Sequence, residues 1–142
     1  MAARNLDEAL AGMSYSLDPG TFVLVGFADE PGPLDLAALR EAPSQLIREA
    51  GETSMLVRKE ALAGLRSRHL DLRSEGPLLW IRFDSPMGWE VVGFLARVTE
   101  AMASAGIPIG AVCSYSRDHL FVNTKYEAAV LRTLSRLFPR GA

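Results

Sequence analysis

A weak internal repetition is the feature that most limits what this chain can fold into. Residues 24–32 and residues 80–88 each form an apolar run that ends at a phenylalanine and continues into an acid, a proline and a glycine. Residues 55–62 and 120–129 form a second matching pair farther along. Because the order of the motifs is kept while their separations differ, the pattern favours two diverged copies of one small unit. Chance similarity between short strands is the alternative interpretation.

The second half of the chain predicts the order strand, helix, strand, strand, helix. Ser85 and Pro86 form a helix-start signal, since a serine hydroxyl can accept a bond from a free N–H and proline tolerates the first turn. The helix ends at Gly106, which suits a left-handed cap, and Thr124 and Glu127 have the spacing of a capping box that opens the last helix. The strands are expected at residues 78–84, 107–115 and 118–123.

The first half predicts the same order with a shorter first helix. Its strands are expected at residues 21–28, 44–49 and 53–58, and its helices at residues 34–41 and 59–66. Two further segments, residues 13–17 and 69–73, alternate like strands and could complete either copy or cross between the two. The sequence therefore predicts an α+β protein of two tandem ferredoxin-like βαββαβ modules, residues 1–74 and 75–142, with antiparallel sheets and helices on one face.

Charge and composition argue against several classes of function. The 142 residues include 15 Lys and Arg against 17 Asp and Glu, a net charge of −2, so no positive surplus is available to bind nucleic acid or an anionic membrane. Cys113 is the single cysteine and allows no intrachain disulfide. The chain shows no secretory signal and no apolar run near the roughly 20 residues of a membrane span. We therefore expect a cytoplasmic protein.

Residues capable of catalysis are scarce. No phosphate-binding loop, dinucleotide fingerprint, His-Glu-x-x-His or Cys-x-x-Cys motif occurs. Cys113 is expected to be a small buried residue of a strand, and His119 to make a structural hydrogen bond at a hairpin. A metal site would need clustered ligands that the sequence does not offer, although Asp118, His119 and His69 could meet in space. The sequence predicts no catalytic residue, no metal site and no cofactor.

The order of several motifs along nearly the whole chain resembles the ACT-domain superfamily. These motifs are residues 17–25, 47–57, 90–96, 105–109 and 115–122. More narrowly, the chain is similar to bacterial two-module proteins related to the CASTOR-type arginine sensors. The resemblance implies a non-enzymatic regulatory protein that binds an amino acid and acts on a protein encoded elsewhere.

The resemblance also implies a ligand site where the loop after a first strand meets the next helix. The matching residues are Asp84, Ser85, Pro86, Met87, Gly88 and Trp89, with Val112, Cys113 and Ser114 on the adjoining strand. A helix N-terminus attracts a carboxylate and Asp84 can pair with an ammonium group, so an amino acid would suit both. Alternatively, Ser85 only caps the helix and Asp84 is a solvated charge at a strand end.

Other functions are compatible with a ferredoxin-like fold. The first strand of each copy has apolar residues on both faces, so the face without helices needs cover from the other copy or a second subunit, and we expect a homodimer. That face could instead bind RNA through Trp80, Arg82, His119 and Phe121, although the acidic balance argues against it. A degenerate ACT scaffold that only binds another protein is the third possibility.

Overall fold

The computed structural model describes residues 2–140, which form two compact units. The central unit is Pro19–Leu78, and the split unit combines Met1–Asp18 with Leu79–Ala142. The helices are Leu6–Gly12 (α1), Pro33–Ala37 (α2), Leu62–Arg68 (α3), Phe94–Ser104 (α4) and Glu127–Leu137 (α5). The strands are Tyr15–Leu17 (β1), Phe22–Phe27 (β2), Gln45–Glu49 (β3), Glu52–Arg58 (β4), Arg73–Phe83 (β5), Gly110–Cys113 (β6) and Asp118–Asn123 (β7).

The central unit consists of β2, α2, β3, β4, α3 and the first part of β5, with antiparallel strands in the order β3-β4-β2-β5. The β3–β4 hairpin is tight because Gly51 adopts φ +81°, a left-handed conformation, between the paired residues Glu49 and Glu52. Apolar residues alternate along β2 and therefore share one face of the sheet. The core formed on that face contains Val23, Val25, Phe27, Met55, Val57 and Leu65.

The split unit has a similar succession of elements, but its final strand comes from the start of the chain. The last part of β5 is followed by α4, β6, β7 and α5, and β1 then pairs antiparallel with β5, with Tyr15 opposite Phe83. The strand order in this unit is β1-β5-β7-β6. Its core contains a cluster of aromatic rings whose neighbouring centroids are 5.2–6.2 Å apart, formed by Tyr15, Phe83, Phe94 and Phe138.

The predicted fold class is confirmed, and so are most of the strands. β7 has the predicted bounds, and β2, β3 and β4 agree with the prediction to within one residue at each end. β6 is shorter than the predicted strand at residues 107–115. The predicted strand at residues 69–73 is wrong, because residues 69–72 form a turn before β5, which is one continuous strand of 11 residues.

Two predicted helix starts are wrong. α4 begins at Phe94, directly after Gly93 in a left-handed conformation with φ +96°, and not at Ser85 and Pro86. α5 is preceded by a 3₁₀ turn that is capped by Asn123, whose side chain accepts a hydrogen bond from the Lys125 N–H, in place of the predicted capping box. α4 ends at Ser104, and Gly106, with φ +71°, adopts the predicted left-handed conformation just after the helix.

The compact units differ from the predicted modules in the assignment of the N-terminal segment. The prediction groups residues 1–74, whereas residues up to Asp18 belong with the second half of the chain. The physical reason is burial, because Ala9 and Met13 are part of the core that also contains Phe83 and Leu134.

Within residues 2–140, no helix is long and apolar enough to cross a membrane.

Candidate functional site

The segment between β5 and α4 is attached to the N-terminal part of the chain through Ser85. Its hydroxyl donates a hydrogen bond to the Gly12 carbonyl at 3.0 Å and accepts one from the Ser14 N–H at 3.3 Å. Both capacities of the hydroxyl are thus used far from any helix start. Ser85 therefore joins two distant parts of the chain and does not cap the start of a helix; its hydroxyl instead satisfies a carbonyl at the C-terminal end of α1.

A second connection follows directly. The Ala3 N–H donates to the Pro86 carbonyl at 3.2 Å, and the Gly88 N–H donates to the Ala3 carbonyl at 2.9 Å, so Ala3 and Met87 form a short parallel bridge. The extended backbone of residues 86–88 therefore satisfies its hydrogen bonds with the N-terminal segment, which explains why it does not become helical.

A cleft of about 380 Å³ lies beside this junction. We call it the terminal cleft, since both ends of the described chain contribute to it, and its lining is Ala2, Ala3, Glu8, Ala9, Gly12, Met13, Ser85, Pro86 and Arg140. Small-molecule sites commonly measure roughly 300–1,000 Å³. Glu8 and Arg140 are the charged residues in this lining, so the cleft offers one negative and one positive group.

Arg82 is the centre of a polar network on the sheet of the split unit. Its Nε donates to Asp84 Oδ1 at 2.6 Å, its Nη1 to Asp18 Oδ1 at 3.1 Å and its Nη2 to Ser16 Oγ at 3.1 Å. The bond to Asp84 is the main cause of a raised Arg82 pKa. Asp84 is therefore paired with a guanidinium of its own chain. The Oδ2 atom of Asp18 is buried and has no hydrogen-bond partner among the described residues.

Trp80 and His119 continue the network on the same sheet. Trp80 Nε1 donates to His119 Nδ1 at 3.0 Å, and His119 Nε2 is 3.2 Å from Ser114 Oγ. Burial lowers the pKa of His119, and the nearby guanidinium groups of Arg82 and Arg117 lower it further against the opposing effect of Asp18 and Asp84. The expected structural hydrogen bond of His119 is thus confirmed.

The structure places four of the nine predicted site residues in two separate groups. Ser85 and Pro86 line the terminal cleft. Asp84 and Ser114 belong to the Arg82 network instead, where Arg117 joins them: its Nε donates to the Asp84 carbonyl at 3.3 Å, and its own carbonyl accepts from the Ser114 N–H at 2.9 Å.

Of the other five, Gly88 bonds to the cleft residue Ala3 without lining the cleft itself, and the remaining four belong to neither group. Met87 packs partly buried against the core of the split unit, while Trp89 is 91% exposed in the segment before α4. Val112 is half-buried opposite His119 on the neighbouring strand. Cys113 is exposed, which corrects the expectation of a buried cysteine, since it ends β6 at the edge of the sheet.

The surface considered for RNA binding is not open. Trp80, Phe121 and His119 are 3%, 6% and 8% exposed, and the rings of Trp80 and Phe121 pack edge to face with centroids 4.7 Å apart. Stacking of a base requires an exposed aromatic face. The aromatic residues that would have to stack on RNA bases are therefore buried.

The central unit fills the loop after its first strand with its own carboxylate. Asp35, which is 2% exposed, accepts hydrogen bonds from Arg68 Nε at 2.7 Å, the Gly32 N–H at 2.8 Å and His69 Nε2 at 2.8 Å. Burial raises the pKa of Asp35, but these hydrogen bonds outweigh it, so the pKa lies below its ordinary value. His69 is fixed further by stacking on Phe27, with centroids 3.7 Å apart.

Sequence reasoning missed Glu8 and Arg140 as cleft residues. Asn5 and Glu8 carry a signal for α1, because the Asn5 side chain accepts from the Glu8 N–H at 2.9 Å and Glu8 accepts from the Arg4 N–H at 3.0 Å. Arg140 continues the four-residue spacing of the arginines of α5, but α5 ends at Leu137.

Among residues 2–140, no group of three or more His, Cys, Asp or Glu is arranged to hold a metal ion.

The second half of the chain carries a recognisable family pattern. Residues 73–136 match the model of the ACT domain family. The ACT match begins at the start of β5 and ends near the end of α5, so it includes Asp84, Ser85 and Pro86 but neither α1 nor β1. Among curated proteins, none matches the chain in sequence.

Solved structures resemble nearly the whole chain in fold. A protein of unknown function from Vibrio cholerae, described as a possible transport protein, is 21% identical with a TM-score of 0.68, over 88% of this chain and 89% of its own. A protein from Agrobacterium tumefaciens is 19% identical with a TM-score of 0.72, over 88% of both chains. The ligand-free regulatory subunit of aspartate kinase from Thermus thermophilus is 18% identical with a TM-score of 0.60, over 87% of this chain and 96% of its own.

Proposed function

We propose that this protein is a non-enzymatic regulatory protein that binds an amino acid in the terminal cleft. The observation that carries the proposal is the position of the cleft against Ser85 and Pro86, directly after the first strand of the ACT match. The similar structures include the regulatory subunit of an aspartate kinase, which supports a regulatory role over a catalytic one.

The chemistry of the cleft suits an amino acid. Glu8 can attract an ammonium group and Arg140 can attract a carboxylate, while Ala9 and Met13 provide apolar contact. The Ser85 hydroxyl already has two partners and therefore supports the wall of the cleft more than it binds a ligand. Asp84, which is paired with Arg82, is likewise a supporting residue in this proposal.

A regulatory effect requires two arrangements with different affinity for the ligand. The cleft is lined by residues of the N-terminal segment together with Ser85, Pro86 and Arg140. A ligand that contacts residues of both sets would stabilise the attachment of the N-terminal segment. We propose this attachment as the element whose equilibrium the ligand shifts.

The two compact units are proposed to be tandem ACT modules, with one ligand bound per chain. The similar order of strands and helices within each unit supports the tandem arrangement. The loop after β2 in the central unit already holds the Asp35 carboxylate, so we assign no second site there. We further propose that the protein is cytoplasmic and forms a homodimer. Light scattering would test the dimer, which should have twice the chain mass of 15.4 kDa.

Thermal unfolding of the full chain with each of the twenty amino acids at millimolar concentration tests the function. A ligand at about 100 times its Kd adds roughly 2.7 kcal/mol, which raises the midpoint by several degrees in a protein of this size. We expect one amino acid, or a chemically related group, to produce that rise, and calorimetry to give one site per chain. No rise with any amino acid would reject the proposal and favour a scaffold that binds proteins through exposed residues such as Trp89 and Val92.

A further inference from the structure

The two charged residues of the terminal cleft lie on separate elements. Glu8 belongs to α1, and its carboxylate is oriented by the Arg4 N–H, which donates to Oε2 at 3.0 Å. Arg140 follows α5, and it makes no hydrogen bond or ion pair with any residue between 2 and 139. The cleft therefore presents an oriented carboxylate and an uncommitted guanidinium to the same space.

We propose that Glu8 binds the α-ammonium group and Arg140 the α-carboxylate of the amino acid. The inference rests on the function proposed above and assigns the residues that determine its specificity. A guanidinium binds a carboxylate through two parallel N–H···O bonds, and a carboxylate accepts the N–H groups of an ammonium, so each cleft residue matches one end of a zwitterion.

The same assignment predicts the class of side chain. With Glu8 and Arg140 engaged by the α-groups, the rest of the lining offers alanines, Gly12, Met13 and Pro86, together with a serine hydroxyl that is already satisfied. A charged ligand side chain would find no opposite charge among these residues. The ligand is therefore an amino acid with an uncharged, mainly apolar side chain.

The experiment compares three forms of one compound. The uncharged amino acid that gives the largest thermal shift is titrated into the full chain by calorimetry, beside its decarboxylated amine and its des-amino carboxylic acid. Wild-type protein should bind the amino acid about 10- to 100-fold more tightly than either analogue, because each analogue loses one charge-assisted contact.

The variants then assign each contact. Glu8→Gln should weaken binding of the amino acid and of the amine about 10-fold or more and leave the des-amino acid unchanged. Arg140→Gln should weaken binding of the amino acid and of the des-amino acid and leave the amine unchanged. Asp7→Asn on α1 and Arg136→Gln on α5 are exposed charge controls outside the cleft lining and should bind as wild type does.

The outcomes separate the two proposals. If an amino acid binds but Glu8→Gln and Arg140→Gln bind it as tightly as wild type, the residue assignment is rejected and the proposed function stands. A best ligand with a charged side chain rejects the apolar specificity. If wild-type protein binds no amino acid, the proposed function fails and the inference fails with it. Both variants replace exposed charged side chains with an uncharged amide, so circular dichroism should show an unchanged fold.

Discussion

Trp80 donates its indole N–H to Nδ1 of His119 over 3.0 Å, and this bond selects one tautomer of the imidazole. Because Nδ1 accepts, the proton of the neutral ring is on Nε2, where it can be donated to the Ser114 hydroxyl at 3.2 Å. A second proton on Nδ1 would remove the acceptor of a tryptophan that is 3% exposed. The neutral imidazole is therefore part of the folded state.

The tautomer leads to a prediction on pH. Burial, together with the guanidinium groups of Arg82 and Arg117, lowers the His119 pKa below 6.5 against the attraction of Asp18 and Asp84. Below about pH 6.5 the unfolded chain then binds more protons than the folded one. The free energy of unfolding is therefore highest above about pH 6.5, and it decreases as the pH falls toward the lowered His119 pKa. Each pH unit in that window costs up to about 1.4 kcal/mol.

Urea unfolding at pH 7.5, 6.5 and 5.5 checks this dependence in wild type and in His119→Asn. The asparagine can still accept from Trp80 but does not titrate, so the variant should lose less stability between pH 6.5 and 5.5 than wild type does. Parallel pH profiles for the two proteins would contradict a role for His119 in the loss.

Asp35 supports a second prediction, which concerns the central unit. Asp35→Asn removes the charge that satisfies Arg68 and His69, and it replaces one of the two accepting oxygens with an amide NH2 that faces a hydrogen-bond donor, so we expect a loss of about 3 kcal/mol at pH 7. Because the Asp35 pKa is lowered from 3.8, its contribution is complete above about pH 3.8 and is lost as the pH falls through the lowered value.

The matched control for this variant is Asp29→Asn. Asp29 has a side chain that is 74% exposed and 3.7 Å from His69 Nδ1, so its replacement should change the free energy of unfolding by no more than about 0.5 kcal/mol. Urea denaturation of both variants and wild type measures the difference. Equal effects of the two substitutions would show that the buried hydrogen bonds of Asp35 do not stabilise the unit.

Local patterns predicted the strands well and the loop after β5 poorly. The alternation in β2 and the short turn around Gly51 are contained in neighbouring residues, so a single sequence reveals them. The role of Ser85 is not local, since its partners Gly12 and Ser14 are 73 and 71 residues away. A serine before a proline looks the same in a helix start and in an extended segment, and only the distant partner distinguishes them.

The candidate site was predicted in part for the same reason. Ser85 and Pro86 are cleft residues because the chain after β5 passes the N-terminal segment, whereas Glu8 and Arg140 join them only through the placement of α1 and of the chain end. A helix at residues 6–12 could have been recognised from Asn5 and Glu8. Its position beside Ser85 could not, because it depends on the pairing of β1 with β5.

Ser85 itself gives a third prediction. Ser85→Ala leaves the Ser14 N–H without its acceptor and the Gly12 carbonyl without its donor, both partly buried, so we expect a loss of about 1–2 kcal/mol. Ser135→Ala, which removes an exposed hydroxyl bonded within α5, is the control and should change stability by less than about 0.5 kcal/mol. Thermal unfolding without ligand compares them, and equal midpoints for the two variants would contradict the structural role of Ser85.

The composition of the split unit gives the last prediction. Because β1 pairs with β5 and Ala9, Met13 and Tyr15 are buried in its core, residues 79–140 alone lack a strand and part of that core. A permuted chain of residues 79–140, a linker of about six Gly and Ser residues and residues 2–18 restores both. The linker need only be short, since Ala2 and Arg140 line the same cleft, and such a linker spans roughly 13 Å.

The permuted chain should unfold cooperatively in urea, whereas residues 79–140 alone should give a broad transition or none, because about three buried apolar side chains and the edge cover of β5 are missing. Adding Tyr15→Ala to the permuted chain should lower its midpoint strongly, since a fully buried aromatic residue contributes about 3–5 kcal/mol. A cooperative transition of residues 79–140 alone at the midpoint of the permuted chain would mean that the N-terminal segment is an accessory to this unit and not its final strand.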